Sequence, residues 1–135
     1  MSSIIHISEM VSIALHGMIV VASNKNKTLL NVKEIAKITG SSESHLSKVM
    51  QRLVKANFIR SARGPKGGFA LVKLPEEVTL LDIYEAIEGP FTIEDCPTNC
   101  KICSFKSCIF GGIPQKLNEE FKSYLAQKSL RDFLG

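Results

Sequence analysis

Four cysteines fall within thirteen residues. The stretch Cys96-Pro-Thr-Asn-Cys100-Lys-Ile-Cys103-Ser-Phe-Lys-Ser-Cys108 has the spacing C-x3-C-x2-C-x4-C. Thiolates are soft ligands for iron–sulfur clusters or zinc, and four so close together can surround one small centre. Lys101 and Lys106 favour the thiolate form. A zinc site of four cysteines usually comes as two separated C-x2-C knuckles, and only Cys100/Cys103 matches one. Three readings stay open at this point: an iron–sulfur cluster, a zinc ion, or a metal-free loop with thiol chemistry or a fortuitous disulfide.

A second constellation is basic. Ser44, His45, Ser47, Lys48, Gln51, Arg52 and Lys55 share one face of a helical stretch, with Leu46, Val49, Met50, Leu53 and Val54 opposite. Hydroxyl, imidazole, amide and guanidinium groups suit base edges, and Lys/Arg neutralise phosphates. Shortly after come Arg63-Gly64-Pro65-Lys66-Gly67-Gly68. Glycines let such a turn approach a duplex closely, and Arg63 suits a narrow minor groove. The turn is not the phosphate-binding G-x-x-x-x-G-K-[ST] loop. A solvated helix face and a plain structural turn would each look similar alone; their adjacency favours DNA. The candidate DNA-binding residues are Ser44, His45, Lys48, Gln51, Arg52, Arg63, Gly64 and Lys66. No residue set supports catalysis, because His6, His16 and His45 have no convincing nucleophile or carboxylate partner in sequence.

The elements that must position these groups follow from periodicity and capping. Ile7, Val11, Ala14, Leu15, Met18, Ile19 and Ala22 form a helical stripe over residues 7–23. Asn31 with Glu34 three residues on opens a short helix through Ile35 and Ile38, which Gly40 stops. Ser41 or Ser42 caps a third helix to about residue 56. Two apolar runs, 58–63 and 69–72, flank the glycine turn and predict a hairpin. Helix-turn-helix followed by a hairpin is a winged helix. Thr79 caps a fourth helix that Gly89-Pro90 ends, and Pro114 starts a last helix with Leu117, Phe121, Tyr124 and Leu125 on one side. That stripe is expected to pack against a second subunit. The fold class is mainly α with a small β-hairpin wing, a winged helix-turn-helix plus a C-terminal dimerisation helix.

Size and charge agree. The 135 residues suffice for one domain with a real core. The net charge of +4 is unevenly spread: residues 1–75 carry eleven Lys/Arg against three Glu, +8, and residues 76–135 carry six against ten carboxylates, −4. A basic region at 1–75 fits a polyanion partner, and 76–135 holds the fourth helix, the cysteine loop at 96–108 and the last helix. No apolar run reaches the roughly 18 residues of a membrane span, and His6, Ser8, Glu9 and Ser12 interrupt any leader. A cytoplasmic location follows as an expectation, with no membrane partner. There, clustered cysteines serve as ligands or redox groups more often than as disulfides.

Over nearly its whole length the sequence resembles the winged-helix regulators typified by IscR, NsrR and CymR. The resemblance rests on Ile13-Ala14-Leu15, Val32-x-x-Ile35-Ala36, Ser44-His45-Leu46, Gln51-Arg52-Leu53, the wing signature Arg63-Gly64-Pro65-Lys66-Gly67-Gly68-Phe69, and Asp82-Ile83-x-x-Ala86-Ile87-Glu88-Gly89 before the cysteine loop. It implies a transcriptional regulator, generally a repressor, that binds a palindromic double-stranded DNA operator as a homodimer. Ser44 and its neighbours would enter the major groove and Arg63 the minor groove. It further implies a 2Fe–2S or 4Fe–4S cluster in the loop, whose state reports redox conditions, iron or nitric oxide. Branches of this family without a cluster act through thiols or partner proteins. Cluster-binding members use three cysteines plus one other ligand. Where one branch has a histidine this chain has Gly111, and where another has an acidic residue it has Ser12, with Glu9 one turn earlier. Cys96, Cys100, Cys103 and Cys108 could supply all four ligands themselves.

Overall fold

In the computed structural model, which describes residues 5–24, 28–100 and 102–135, the helices begin where side chains can satisfy the first backbone N–H groups. α1 spans Glu9–Ala22, and the Ser8 side chain accepts from the Val11 N–H. The stripe expected from residue 7 is therefore shortened: once Ser8 is the cap, Ile7 stands outside the helix, 49% exposed. α2 spans Val32–Thr39 behind Asn31, which accepts from the Glu34 N–H at 2.8 Å and donates to its carboxylate at 3.1 Å. Gly40 ends it at φ 72°, in the left-handed region that favours glycine. α3 spans Glu43–Lys55 with Ser42 as its cap, which decides between the two serines.

The wing is an antiparallel pair, β1 (Ile59–Ala62) and β2 (Gly68–Leu71), in register from Ile59 opposite Leu71 to Ala62 opposite Gly68. It does not stand free. Phe69 donates to the Leu30 carbonyl at 2.8 Å and Leu30 donates back at 3.2 Å, fastening β2 to the segment before α2. Gly68 sits at φ 150°, and a Cβ there would run into the Leu30 backbone. Only glycine allows this close approach.

α4 spans Leu80–Glu88 under a reciprocal Thr79–Asp82 cap, and α5 spans Ile113–Gln127. Two short 3-10 turns, Pro75–Glu77 and Leu130–Phe133, were not foreseen from the sequence. They pair through Leu130 N–H to the Val78 carbonyl and Leu80 N–H to the Lys128 carbonyl, bringing the C-terminus back to the start of α4. Ala14, Met18, Ile35, Leu46, Val49, Met50 and Leu53 form one core with Val78, Ile83, Ile87 and Leu130. Packing is thus continuous across residue 75.

The last helix corrects one expectation. Its apolar stripe does not all await a second subunit: Leu125 is 3% exposed within this chain, and Phe121 lies 6.3 Å from Phe91 between ring centroids. Leu117 and Tyr124 remain outside, 38% and 47% exposed. The helix is apolar on two adjoining sides, one of which α4 and the segment after it cover. Among the described residues, no helix is long and apolar enough to cross a membrane.

Candidate nucleic-acid interface and cysteine loop

Burying Leu46, Val49, Met50 and Leu53 against α1 turns the other side of α3 outward. Ser44, His45, Lys48, Gln51, Arg52 and Lys55 are all exposed there, and Ser47 is half-buried. The first turn is ordered by its cap: Ser42 accepts from the His45 N–H, and the Ser42 and Ser44 hydroxyls lie 3.0 Å apart. At the hairpin tip Arg63, Gly64 and Lys66 are exposed. Gly64 adopts φ 109°, and Gly67 leaves no room for a Cβ against Ala62 and Arg63, so the glycines are required by the turn itself. Among the described residues, none of Lys48, Arg52, Arg63 and Lys66 has a carboxylate within 4 Å. Their charge is free for a polyanion.

One contact on this face is not legible from sequence. Glu9 Oε1 lies 3.5 Å from His45 Nδ1, so His45 does have a carboxylate partner, brought from α1 by the packing of α1 on α3. His16 remains a helix-face residue, its Nδ1 2.7 Å from the Ser12 carbonyl. His6 is exposed before α1.

The cysteines lie in the segment between Gly89 and α5. All four are free thiols; Cys96 is half-buried, and Cys100, Cys103 and Cys108 are exposed. Lys101, invoked above as a neighbour, lies outside the described residues. The Thr98 hydroxyl, 3.2 Å from Cys96 Sγ, holds the Cys96 thiol below its ordinary range, with backbone hydrogen bonds from Cys100 and Thr98 adding to the effect. Cys100 Sγ donates to the Ile102 carbonyl at 3.0 Å. Among the described residues, no three Cys, His, Asp or Glu side chains are gathered around a metal-sized point. The chemistry of the set still suits an iron–sulfur cluster or zinc: four unbridged thiols on one open loop. Ligands of this kind are commonly drawn together only when the metal binds. Gly111 sits at φ 66°, in the left-handed region. Glu9 faces His45 of α3 instead.

An aromatic wall stands across a cavity from the start of the loop. Tyr84 of α4 lies 5.1 Å from Phe91, which in turn meets Phe121 of α5. The Phe91 N–H donates to Glu85 Oε2 at 2.7 Å. A cavity of about 790 Å³ opens beside Cys96, between this wall, Phe110 and Leu117.

Fold and surface together define a winged helix-turn-helix protein. Residues 7–135 match the Rrf2 family, described as "Iron-dependent Transcriptional regulator", and the chain belongs to that family. The transcriptional regulator NsrR of Bacillus subtilis is 30% identical over 125 residues, covering 90% of this chain and 84% of that protein. Among solved structures, CymR, the global cysteine regulator of B. subtilis, superposes with a TM-score of 0.78 at 24% identity, over 96% of each chain. IscR of T. potens gives 0.75 at 22% identity, over 96% of this chain and 85% of that one. The winged-helix class read from the sequence is borne out. So is the reading as a transcriptional regulator and not an enzyme.

Proposed function

We propose that the protein is a cytoplasmic transcriptional repressor that binds a palindromic operator as a homodimer and senses redox state, iron or nitric oxide through an iron–sulfur cluster. Residues 1–75 form the DNA-binding region and residues 76–135 the signal-receiving and dimerising region. The observation carrying the DNA reading is the exposed face of Ser44, His45, Lys48, Gln51 and Arg52, whose Lys48 and Arg52 have no carboxylate within 4 Å among the described residues, beside a wing bearing Arg63, Gly64 and Lys66. Ser44 and His45, near the N-terminus of α3, would meet base edges and the cations further along would meet phosphates. The exposed Ile113, Leu117 and Tyr124 of α5 supply the apolar surface for a partner subunit.

Cys96, Cys100, Cys103 and Cys108 would hold a 2Fe–2S or 4Fe–4S cluster. Such a cluster supplies one-electron chemistry and a centre that oxidants or nitric oxide destroy. The chain's own part is to deliver four thiolates from a loop that leads directly from α4, so that ordering or releasing the loop shifts α4 and α5 against α1. A second reading is favoured by the activated Cys96 thiol and by the separation of the four cysteines: a cluster-free regulator of the same fold, switched by thiol oxidation, zinc or a partner protein.

Protein purified without oxygen is the test, compared with a variant carrying Cys96→Ala, Cys103→Ala and Cys108→Ala. Visible absorbance with matching iron and sulfide in the first, and none in the second, supports the cluster. Colourless protein after reconstitution with iron and sulfide sinks it in favour of the second reading, which thiol titration and zinc analysis then resolve.

A further inference from the structure

The first turn of α1 is held at two points by elements far from it in sequence. Ser8 Oγ donates to Glu88 Oε1 at 2.6 Å, on the last residue of α4, where the chain departs toward the cysteine loop. The next residue, Glu9, faces the imidazole of His45 on the first turn of α3. Ser8 also caps α1 by accepting from the Val11 N–H at 3.2 Å, so its side chain cannot turn away without loosening the helix start. The dipeptide Ser8-Glu9 thereby bridges the end of α4 and the start of α3.

A carboxylate can only accept hydrogen bonds. Glu9 Oε1 stands 3.5 Å from His45 Nδ1, so its charge favours a hydrogen on that ring nitrogen over Nε2. We propose that Glu9 is a positioning residue for DNA recognition: it fixes the ring orientation and tautomer of His45 so that Nε2 is presented to the operator. The Ser8–Glu88 hydrogen bond sets the register of that turn against α4. This inference rests on the reading of α3 as the recognition helix.

Two physical points separate the role from a merely structural one. The His45 and Glu9 side chains are 55% and 72% exposed, and a polar contact so open to solvent contributes little to folding. A carboxylate on a DNA-facing surface also repels phosphates. Removing it weakens reading of the right sequence while leaving binding to arbitrary DNA unchanged or stronger. A folding defect would weaken both.

The full-length protein is first used to select an operator from a randomised duplex library. Fluorescence anisotropy then gives affinities for the selected and a scrambled duplex with wild type, Glu9→Ala, Glu9→Gln, His45→Ala and the Glu9→Ala/His45→Ala double variant. Glu9→Ala is expected to lower the selected-to-scrambled affinity ratio about tenfold, the size of one well-placed base contact, with no loss on scrambled DNA. Glu9→Gln still accepts from Nδ1–H and retains most of the ratio. The double variant loses no more than His45→Ala, as coupled groups should. An unchanged ratio for Glu9→Ala beside a reduced one for His45→Ala overturns the inference and leaves the recognition helix standing. Equal losses on both duplexes also overturn it. A wild type that selects no sequence overturns both.

Discussion

Salt dependence of DNA binding tests the proposed interface most directly, because its magnitude follows from counting free cations. Lys48, Arg52, Arg63 and Lys66 are exposed and have no carboxylate within 4 Å among the described residues, so each can displace a counterion from a phosphate. Across the proposed dimer that makes eight contacts, giving a slope of log K against log salt of about −7. Affinity should then fall about 10⁴-fold between roughly 50 and 200 mM salt. Lys48→Ala removes one contact from each protomer and flattens the slope by about 1.8, so its loss over the same range is smaller by about twelvefold. Arg63→Ala should do the same from the wing. Gln51→Ala lies on the same face but carries no charge; it should weaken binding without changing the slope. Anisotropy titrations at four or five salt concentrations, on a selected operator and on a scrambled duplex, read all of this. Slopes that stay at the wild-type value in both Lys48→Ala and Arg63→Ala would refute the assignment of this face to DNA.

Three other outcomes follow from particular contacts. Gly68→Ala places a side chain at φ 150° against the Leu30 backbone; chemical denaturation should show a loss of at least about 2 kcal/mol, from strain and broken wing hydrogen bonds. Leu125→Ala, inside the core of one chain, should cost about 2–5 kcal/mol, whereas Leu117→Ala should keep the helical circular dichroism and weaken self-association in sedimentation equilibrium. In reduced, metal-free protein retaining only Cys96, alkylation should reach half its maximal rate at a lower pH than for an ordinary cysteine, because a lowered pKa preserves the thiolate to lower pH. Thr98→Ala should move that midpoint upward, and an unmoved midpoint would count against the Thr98 hydrogen bond as its main cause.

What was legible in the sequence divides by range. Elements fixed by a cap and a nearby stop could be read: Asn31 with Glu34, Thr79, Gly40 and the wing glycines each act within a few residues. The 3-10 turn at Leu130–Phe133 was missed because four residues give no periodicity, although Ser129 and Asp132 make a readable capping pair. The burial of one side of α5 within its own chain was missed because a stripe shows which residues are apolar but not which neighbour covers each. Ser8–Glu88 spans eighty residues, and Glu9–His45 joins two helices through their packing; no local pattern announces either.

The cysteine loop shows the same limit in another form. Residue type and spacing narrowed its chemistry to an iron–sulfur cluster, a zinc ion or metal-free thiols. Its geometry is a different matter, because the loop has neither helical nor strand periodicity to constrain it. If a metal draws the thiols together, the bound arrangement is part of the binding free energy and is not encoded in the separated thiols. The informative structural fact is therefore where the loop is anchored, not how the sulfurs are disposed. Its entry point is the end of α4, where Glu88 holds Ser8, and its exit is α5, which packs on the same aromatic wall. One route from the loop to His45 runs through α4, the Ser8–Glu88 hydrogen bond and the first turn of α1. Under the proposed cluster reading, a change in the loop would alter DNA recognition without the metal centre touching the face formed by α3 and the wing.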